Sequence, residues 1–428
     1  MSIKRPNTHG LTLAFLAVFA IAFWPTAISA DDGDNLWDES GIQLGFSYQG
    51  DIWLWDAVSD GSGGAYYFKY RDNGDTELSR IAHDVSLDPI WAISTARGYP
   101  AITPDGSGGA IFAWTTGNAN DGYIIETERL LPGGNTLWGT PGQFGIQVSS
   151  AFAQGYFLPS YAFPYVASDG IGGAYINWIR RLAYVEPDGT LSALDGIQLV
   201  PGENPDGRGN LKMIADGTGG PSPLDPAGGI YAAWIDSGVI GQHVKDGLQW
   251  GPEGLVLDPD GDYPEAVEND GTGGMLIGWI EVSPPDQELY VQRLNSNGDP
   301  MWAHGGVLIP GYTIGGHSQI VADGSGGAYL IRLDPSSSNH YLYYLNANGQ
   351  LMWQKELALG VYSYPVIVGD GAGGVILAYS KVGDFSDDVV AMRFHPSGYR
   401  LFATWVRRDG TSTTDPGADQ LRPRIAFD

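Results

Sequence analysis

Residues 322–333 read ADGSGGAYLIRL, and near-copies recur along the chain: SDGSGGAYYFKY (59–70), PDGSGGAIFAW (104–114), SDGIGGAYINW (168–178), ADGTGG (215–220), NDGTGGMLIGW (269–279) and GDGAGGVILAY (369–379). A lone glycine-rich stretch could cradle a phosphate, but seven copies of one signal describe architecture. Their aspartates, Asp60, Asp105, Asp169, Asp216, Asp270, Asp323 and Asp370, recur roughly every 50 residues, a period typical of repeat folds. An aspartate can close a turn through its own side chain and glycines accept positive φ, so D-G-x-G-G reads as a tight connection between two strands.

The flanks supply those strands. A short apolar segment precedes each turn, opened by proline at Pro100, Pro164 and Pro365, five places before the aspartate. Proline suits the first residue of a strand. About five apolar residues follow the turn and end in an aromatic at Trp114, Trp178, Trp279 and Tyr379, with Trp234 in the same series after an insertion and Lys69 and Arg332 breaking it. An alternating run such as LYVQRLNSNG comes next, then a second turn, then an aromatic at Trp138, Trp302, Trp353 or Phe402. Each unit therefore spells four strands, A to D, joined by hairpins. The expected fold is all-β: a β-propeller of four-stranded antiparallel blades, seven in number, with eight as the rival count. Beyond the seven units lie a D-type segment at Trp37 and an A-type segment, RPRIAFD (422–428), which are expected to help close the ring.

The segment YLNANGQLMWQ (344–354) resembles the glycine-then-tryptophan motif of quinoprotein-type (PQQ-like) propellers, and the D-G-x-G-G turns resemble repeats of secreted bacterial proteins. The resemblance implies blades and docking tryptophans. It implies no quinone site, because the chain lacks the adjacent cysteines that often accompany one: it has no cysteine at all.

The opening MSIKRPNTHGLTLAFLAVFAIAFWPTAISA, with Lys4 and Arg5, an apolar run and small residues up to Ala30, reads as a secretory signal peptide. Residues 31–428 then form one propeller domain, secreted to the periplasm, the cell surface or the medium and expected to be monomeric. Without disulfides, stability must come from packing or ions. The formal net charge is −27, with 49 acidic residues against 22 basic ones. That balance opposes binding to nucleic acid or anionic lipid and favours solubility and divalent cations.

In this strand order the A–B and C–D turns share one face, and the D–A and B–C loops share the other. Irregular loops on a rigid scaffold are where function concentrates. The longest D–A loop, QVSSAFAQGYFLPSYAFP (147–164), offers Tyr156, Phe157 and Tyr161; Tyr263, Tyr362 and Tyr364 belong to the same face in other blades. Such aromatics can stack on sugar rings or anchor a protein, and equally can plug the central channel. The loop LDPDGDYP (257–264) places Asp258, Asp260 and Asp262 at alternate positions, which resembles the start of a calcium loop but lacks its later glutamate and its glycine placement. Calcium is therefore the one cofactor the sequence suggests. YRDNGDTE, with Asp72, Asn73 and Asp75, is a weaker version.

Catalytic signatures are sparse. GHSQI imitates a nucleophile elbow around Ser318, but Ile320 stands where the closing glycine belongs. The histidines beyond the leader, His83, His243, His304, His317, His340 and His395, fall in separate units, and His317 alone lies near the expected mouth. Two readings stay open: a binding propeller holding a glycan or a protein, and a carbohydrate-active enzyme, lyase or glycosidase, using carboxylates or His317. A convergent acid pair on the loop face would favour the enzyme. A third reading is a structural module of an envelope assembly.

Overall fold

A computed structural model describes residues 13–16, 424–427 and 52–407, leaving aside 61–63, 72–75, 82–86, 94–99, 119, 133–134, 140–144, 153–162, 200–210, 219–227, 284–285, 312–317, 335, 360–364 and 382–387. Seven four-stranded antiparallel sheets are present among these residues, each with its strands in simple sequence order. They are blades 1 to 7, covering 52–93, 101–147, 165–198, 212–258, 263–309, 319–357 and 366–407. The inner A strands pack side by side from blade 1 to blade 7. The protein is a seven-bladed β-propeller.

The repeated turn explains why the sequence is so regular. In blade 2, the Asp105 amide donates to the Gly109 carbonyl (3.1 Å) while Asp105 Oδ1 accepts from the amides of Ser107 (2.7 Å) and Gly109 (2.8 Å). Gly106 and Gly108 take φ of 81° and 91°. The last glycine is needed for space, since a Cβ on Gly109 would stand 2.0 Å from the Leu130 carbonyl oxygen.

All seven motif aspartates are buried, and each receives a partner from strand C of its own blade. Arginine fills this role four times: Arg80 to Asp60 (2.9 Å), Arg129 to Asp105 (3.0 Å), Arg293 to Asp270 (2.7 Å) and Arg393 to Asp370 (2.9 Å). Tyrosine does so in blades 3 and 6, with Tyr184 to Asp169 (2.7 Å) and Tyr344 to Asp323 (2.9 Å). In blade 4 it is the His243 ring, 2.9 Å from Asp216. Burial alone would raise the pKa of Asp216, but this ring and the Thr218 donors outweigh it and hold the carboxyl well below the usual range.

Blades are stitched to one another as well as packed. The indole N–H groups of Trp138, Trp250, Trp302 and Trp353 donate to the carbonyls of Pro187, Ser296, Ala347 and Pro396, one blade further on, at 2.7–3.1 Å. Tyr231 and Tyr329 do the same from strand B, reaching Gly273 and Gly373 (both 2.8 Å). Between these contacts the B strands are largely apolar and buried on both faces, as in Ile230–Ile235 and the first four residues of Ala328–Asp334, so the core is a series of seams between adjacent blades.

The C-terminal strand Arg424–Phe427 runs beside the inner strands of blades 7 and 1, the closing position expected of the extra A-type segment. Its partner is Leu13–Leu16, inside the segment read as a signal peptide. Cleavage at Ala30 would remove that pairing and leave every blade strand in place, since the first begins at Ile52. The D-type segment at Trp37 lies outside the described residues.

Candidate functional site at the loop end of blade 5

Near the loop face five seams are wedged by the last large residue of strand B: Trp114, Trp178, Trp234, Trp279 and Tyr379 in blades 2, 3, 4, 5 and 7. The residue opposite on strand C differs from blade to blade: Glu126 faces Trp114, Arg181 faces Trp178, Ile240 faces Trp234, Tyr290 faces Trp279 and Val390 faces Tyr379. This variable row marks where one repeat can acquire chemistry that the others lack.

Among the described residues, blade 5 brings two carboxylates and a tyrosine to this row. Its B and C strands, Met275–Ser283 and Asp286–Leu294, form a long hairpin in which Glu281 stands directly opposite Glu288, two places beyond the Trp279–Tyr290 pair. Residues two apart on a strand share a face, so both carboxylates and Tyr290 project on the side that packs toward blade 4. Like charges directly opposite each other destabilise a hairpin, so the placement works against folding. The Tyr290 hydroxyl donates to Glu288 Oε2 (3.0 Å). Burial, the bond to Glu288 and the charges of Glu288, Glu281 and Asp258 push its pKa up to about 12.

Asp258, at the end of Leu255–Asp258 in blade 4, joins this group from across the seam. Its Oδ2 accepts from Trp279 Nε1–H (2.8 Å) and its Oδ1 from the Asp260 amide (3.0 Å). Asp262 is held along the hairpin too: its amide donates to the Ile280 carbonyl (2.8 Å) and its Oδ2 accepts from the Val282 amide (2.7 Å). Two of the three aspartates read as a calcium loop are thus engaged by protein N–H groups, and among the described residues no three histidine or acidic side chains form a group that could hold a metal. Tyr263 follows immediately, 44 % exposed at the loop face.

On its other side, toward blade 6, the wedge position is taken by Arg332, 2 % exposed. Arg332 Nε donates to the Tyr343 hydroxyl (3.0 Å), Nη2 donates to the Pro310 carbonyl (2.6 Å), and the guanidinium lies over the rings of Tyr341 and Tyr343. The loop end of blade 5 is therefore acidic on one flank and carries a buried cation on the other.

Of the residues singled out by sequence, Asp258, Asp260, Asp262 and Tyr263 meet here. Tyr156, Phe157, Tyr161, His317, Tyr362 and Tyr364 lie outside the described residues. Glu281, Glu288 and Tyr290 escaped the sequence reading because among 49 acids nothing marks a pair until the hairpin register is known. The alternating run ELYVQRL does carry the signal that Glu288 and Tyr290 share a face.

No described protein family and no curated protein matches the chain. Solved structures do resemble it. Prolyl oligopeptidase B from Galerina marginata superposes with a TM-score of 0.50 at 13 % identity, over 86 % of this chain and 52 % of the other, so the chain spans about half the length of that enzyme. The BP39L lectin from Burkholderia pseudomallei gives 0.49 and 13 %, over 82 % and 99 %. A PL25 ulvan lyase bound to a GlcA–Rha3S unit gives 0.47 and 10 %, over 83 % and 93 %. At such identities the likeness is one of fold.

Proposed function

We propose that the protein is a secreted carbohydrate-active enzyme that cleaves a polysaccharide glycosidically at the loop end of blade 5. The observation that supports this is the Glu281–Glu288 pair. Directly opposite residues have Cβ atoms about 5 Å apart, which lets two glutamates flank one glycosidic bond at the separations, roughly 5 to 9.5 Å, that glycoside hydrolysis uses. The Tyr290 hydroxyl holds Glu288 Oε2 in place (3.0 Å), which positions this carboxylate to act as nucleophile or as base toward water. Glu281 then serves as the acid that protonates the departing glycosidic oxygen, and water supplies the hydroxyl of one product and the proton of the other. Trp279 orients Asp258 beside the pair, and Tyr263 offers a ring on which a sugar can stack.

The test is incubation of the purified protein with neutral and acidic polysaccharides, following reducing ends and polymer length. Shortening of one polymer, reduced at least about 100-fold in Glu281→Gln and Glu288→Gln with unchanged melting temperature, is the expected result. Full activity in both variants, or no polymer shortened, overturns the reading. Retention of a polymer without shortening supports the second reading, a glycan-binding propeller. Exposed Tyr263 favours that alternative, with Tyr156, Phe157, Tyr161, Tyr362 and Tyr364 as further contacts.

A further inference from the structure

The seam between blades 5 and 6 departs from the rest of the ring. Where the described seams of blades 2 to 5 and 7 place a tryptophan or tyrosine, this one places the guanidinium of Arg332. Excluding water from a cation is costly, so its retention in an otherwise aromatic row calls for a role. A second, independent feature sits beside it. The pairing of Gln319 with Ile331 places Ser318 across from Arg332, one position further along. Ser318 is 8 % exposed, and its hydroxyl has no hydrogen-bond partner among the described residues. Buried hydroxyls are rarely left unsatisfied, and one that is calls for an explanation. Gly311 makes room for the guanidinium: it adopts φ 103°, and a Cβ there would collide with Arg332 Nη2. Tyr341, directly opposite Arg332 on strand C, is only partly buried and lies over the guanidinium. It gives the seam an aromatic rim at the surface.

We infer that this seam is a subsite for an anionic sugar, one bearing a carboxylate or a sulfate ester, with Arg332 supplying charge, Ser318 a hydrogen bond and Tyr341 a stacking surface. The inference rests on the reading of the loop end of blade 5 as a polysaccharide site and names the class of polymer it selects. A chain of net charge −27 repels polyanions at long range, so a fixed cation at the seam is what turns an acidic polymer into a ligand. One consequence is unusual: added salt screens the general repulsion more than the buried contact, so binding tightens between about 20 and 200 mM salt.

The experiment is calorimetric titration of the full chain with trigalacturonate, a sulfated galactan trisaccharide and cellotriose. The charged probes are expected to bind and cellotriose to bind at least about tenfold more weakly, with Ser318→Ala costing a few-fold and Arg332→Lys about tenfold to 100-fold in affinity for the charged probe alone. Binding of trigalacturonate alone identifies a carboxylate as the group read, and binding of the sulfated probe alone a sulfate. Equal affinity for all three, or a folded Ser318→Ala variant that matches the parent, overturns the inference. Should Arg332→Lys fail to fold, Ser318→Ala decides alone. Cleavage of a neutral polymer untouched by Ser318→Ala sinks the inference and leaves the enzyme reading standing; Ser318-dependent binding without any cleavage does the reverse.

Discussion

Glu268 offers the sharpest test of how the inner ring is built. It sits on strand Tyr263–Asn269, the inner strand of blade 5, opposite fully buried Leu276 and between the inner strands of blades 4 and 6. Burial pushes its pKa up to about 7 from an ordinary 4.5, the bond it accepts from the Asn269 amide (3.1 Å) offsetting only part of that cost. Such a rise is worth about 3 kcal/mol in favour of the protonated form, at about 1.4 kcal/mol per pH unit. Its partial exposure trims this to about 2 kcal/mol. The folded state holds its proton more tightly than the unfolded one, so full stability is present below pH 4.5 and is lost as the pH climbs through about 7. Glu268→Gln keeps the shape and an oxygen for Asn269 while removing the charge. For roughly 400 residues an unfolding entropy near 0.8 kcal/mol/K makes about 2 kcal/mol a rise of some 2–3 °C in melting temperature. Scanning calorimetry at pH 4 and pH 8 should therefore show the variant close to the parent at pH 4 and exceeding it by that amount at pH 8. A constant offset at both pH values would refute the assignment of a desolvated carboxyl to this position.

The buried turn network predicts that Asp105→Asn, which leaves Arg129 buried beside a neutral group, costs about 3–5 kcal/mol by denaturant unfolding; Arg129 also reaches the Pro187 carbonyl of blade 3 (3.3 Å), so the loss should weaken the blade 2–3 seam first, as read by hydrogen exchange. The aspartate loop of blade 4 is checked by calcium titration. Asp258 and Asp262 already accept from Trp279 and the Val282 amide, and the expected outcome is no saturable change in tryptophan fluorescence below about 1 mM calcium.

Much of this molecule is legible in the one-dimensional pattern because its determinants are local. A turn of D-G-x-G-G type needs only its own five residues, and alternation after it places one strand's side chains without reference to the rest of the chain. Seven repetitions of that signal, each followed by an apolar strand and a second turn, therefore disclose the blades, their strand order and which connections share a face. The partner of each turn aspartate was less evident, since Arg129 and Tyr184 do the same work with different chemistry in neighbouring blades.

The site needed tertiary structure for a physical reason. Glu281 meets Glu288 only through hairpin register, and Asp258 reaches Trp279 only because blade 4 ends where the seam with blade 5 begins. Arg332 shows the division well. The sequence alone marked it as a break in the row of aromatics, yet its burial, its bonds to Tyr343 and Pro310, and the unsatisfied Ser318 hydroxyl beside it exist only once strands far apart in the chain are packed edge to edge. Local pattern decided that there would be a ring of blades; long-range packing decided which blade carries the chemistry.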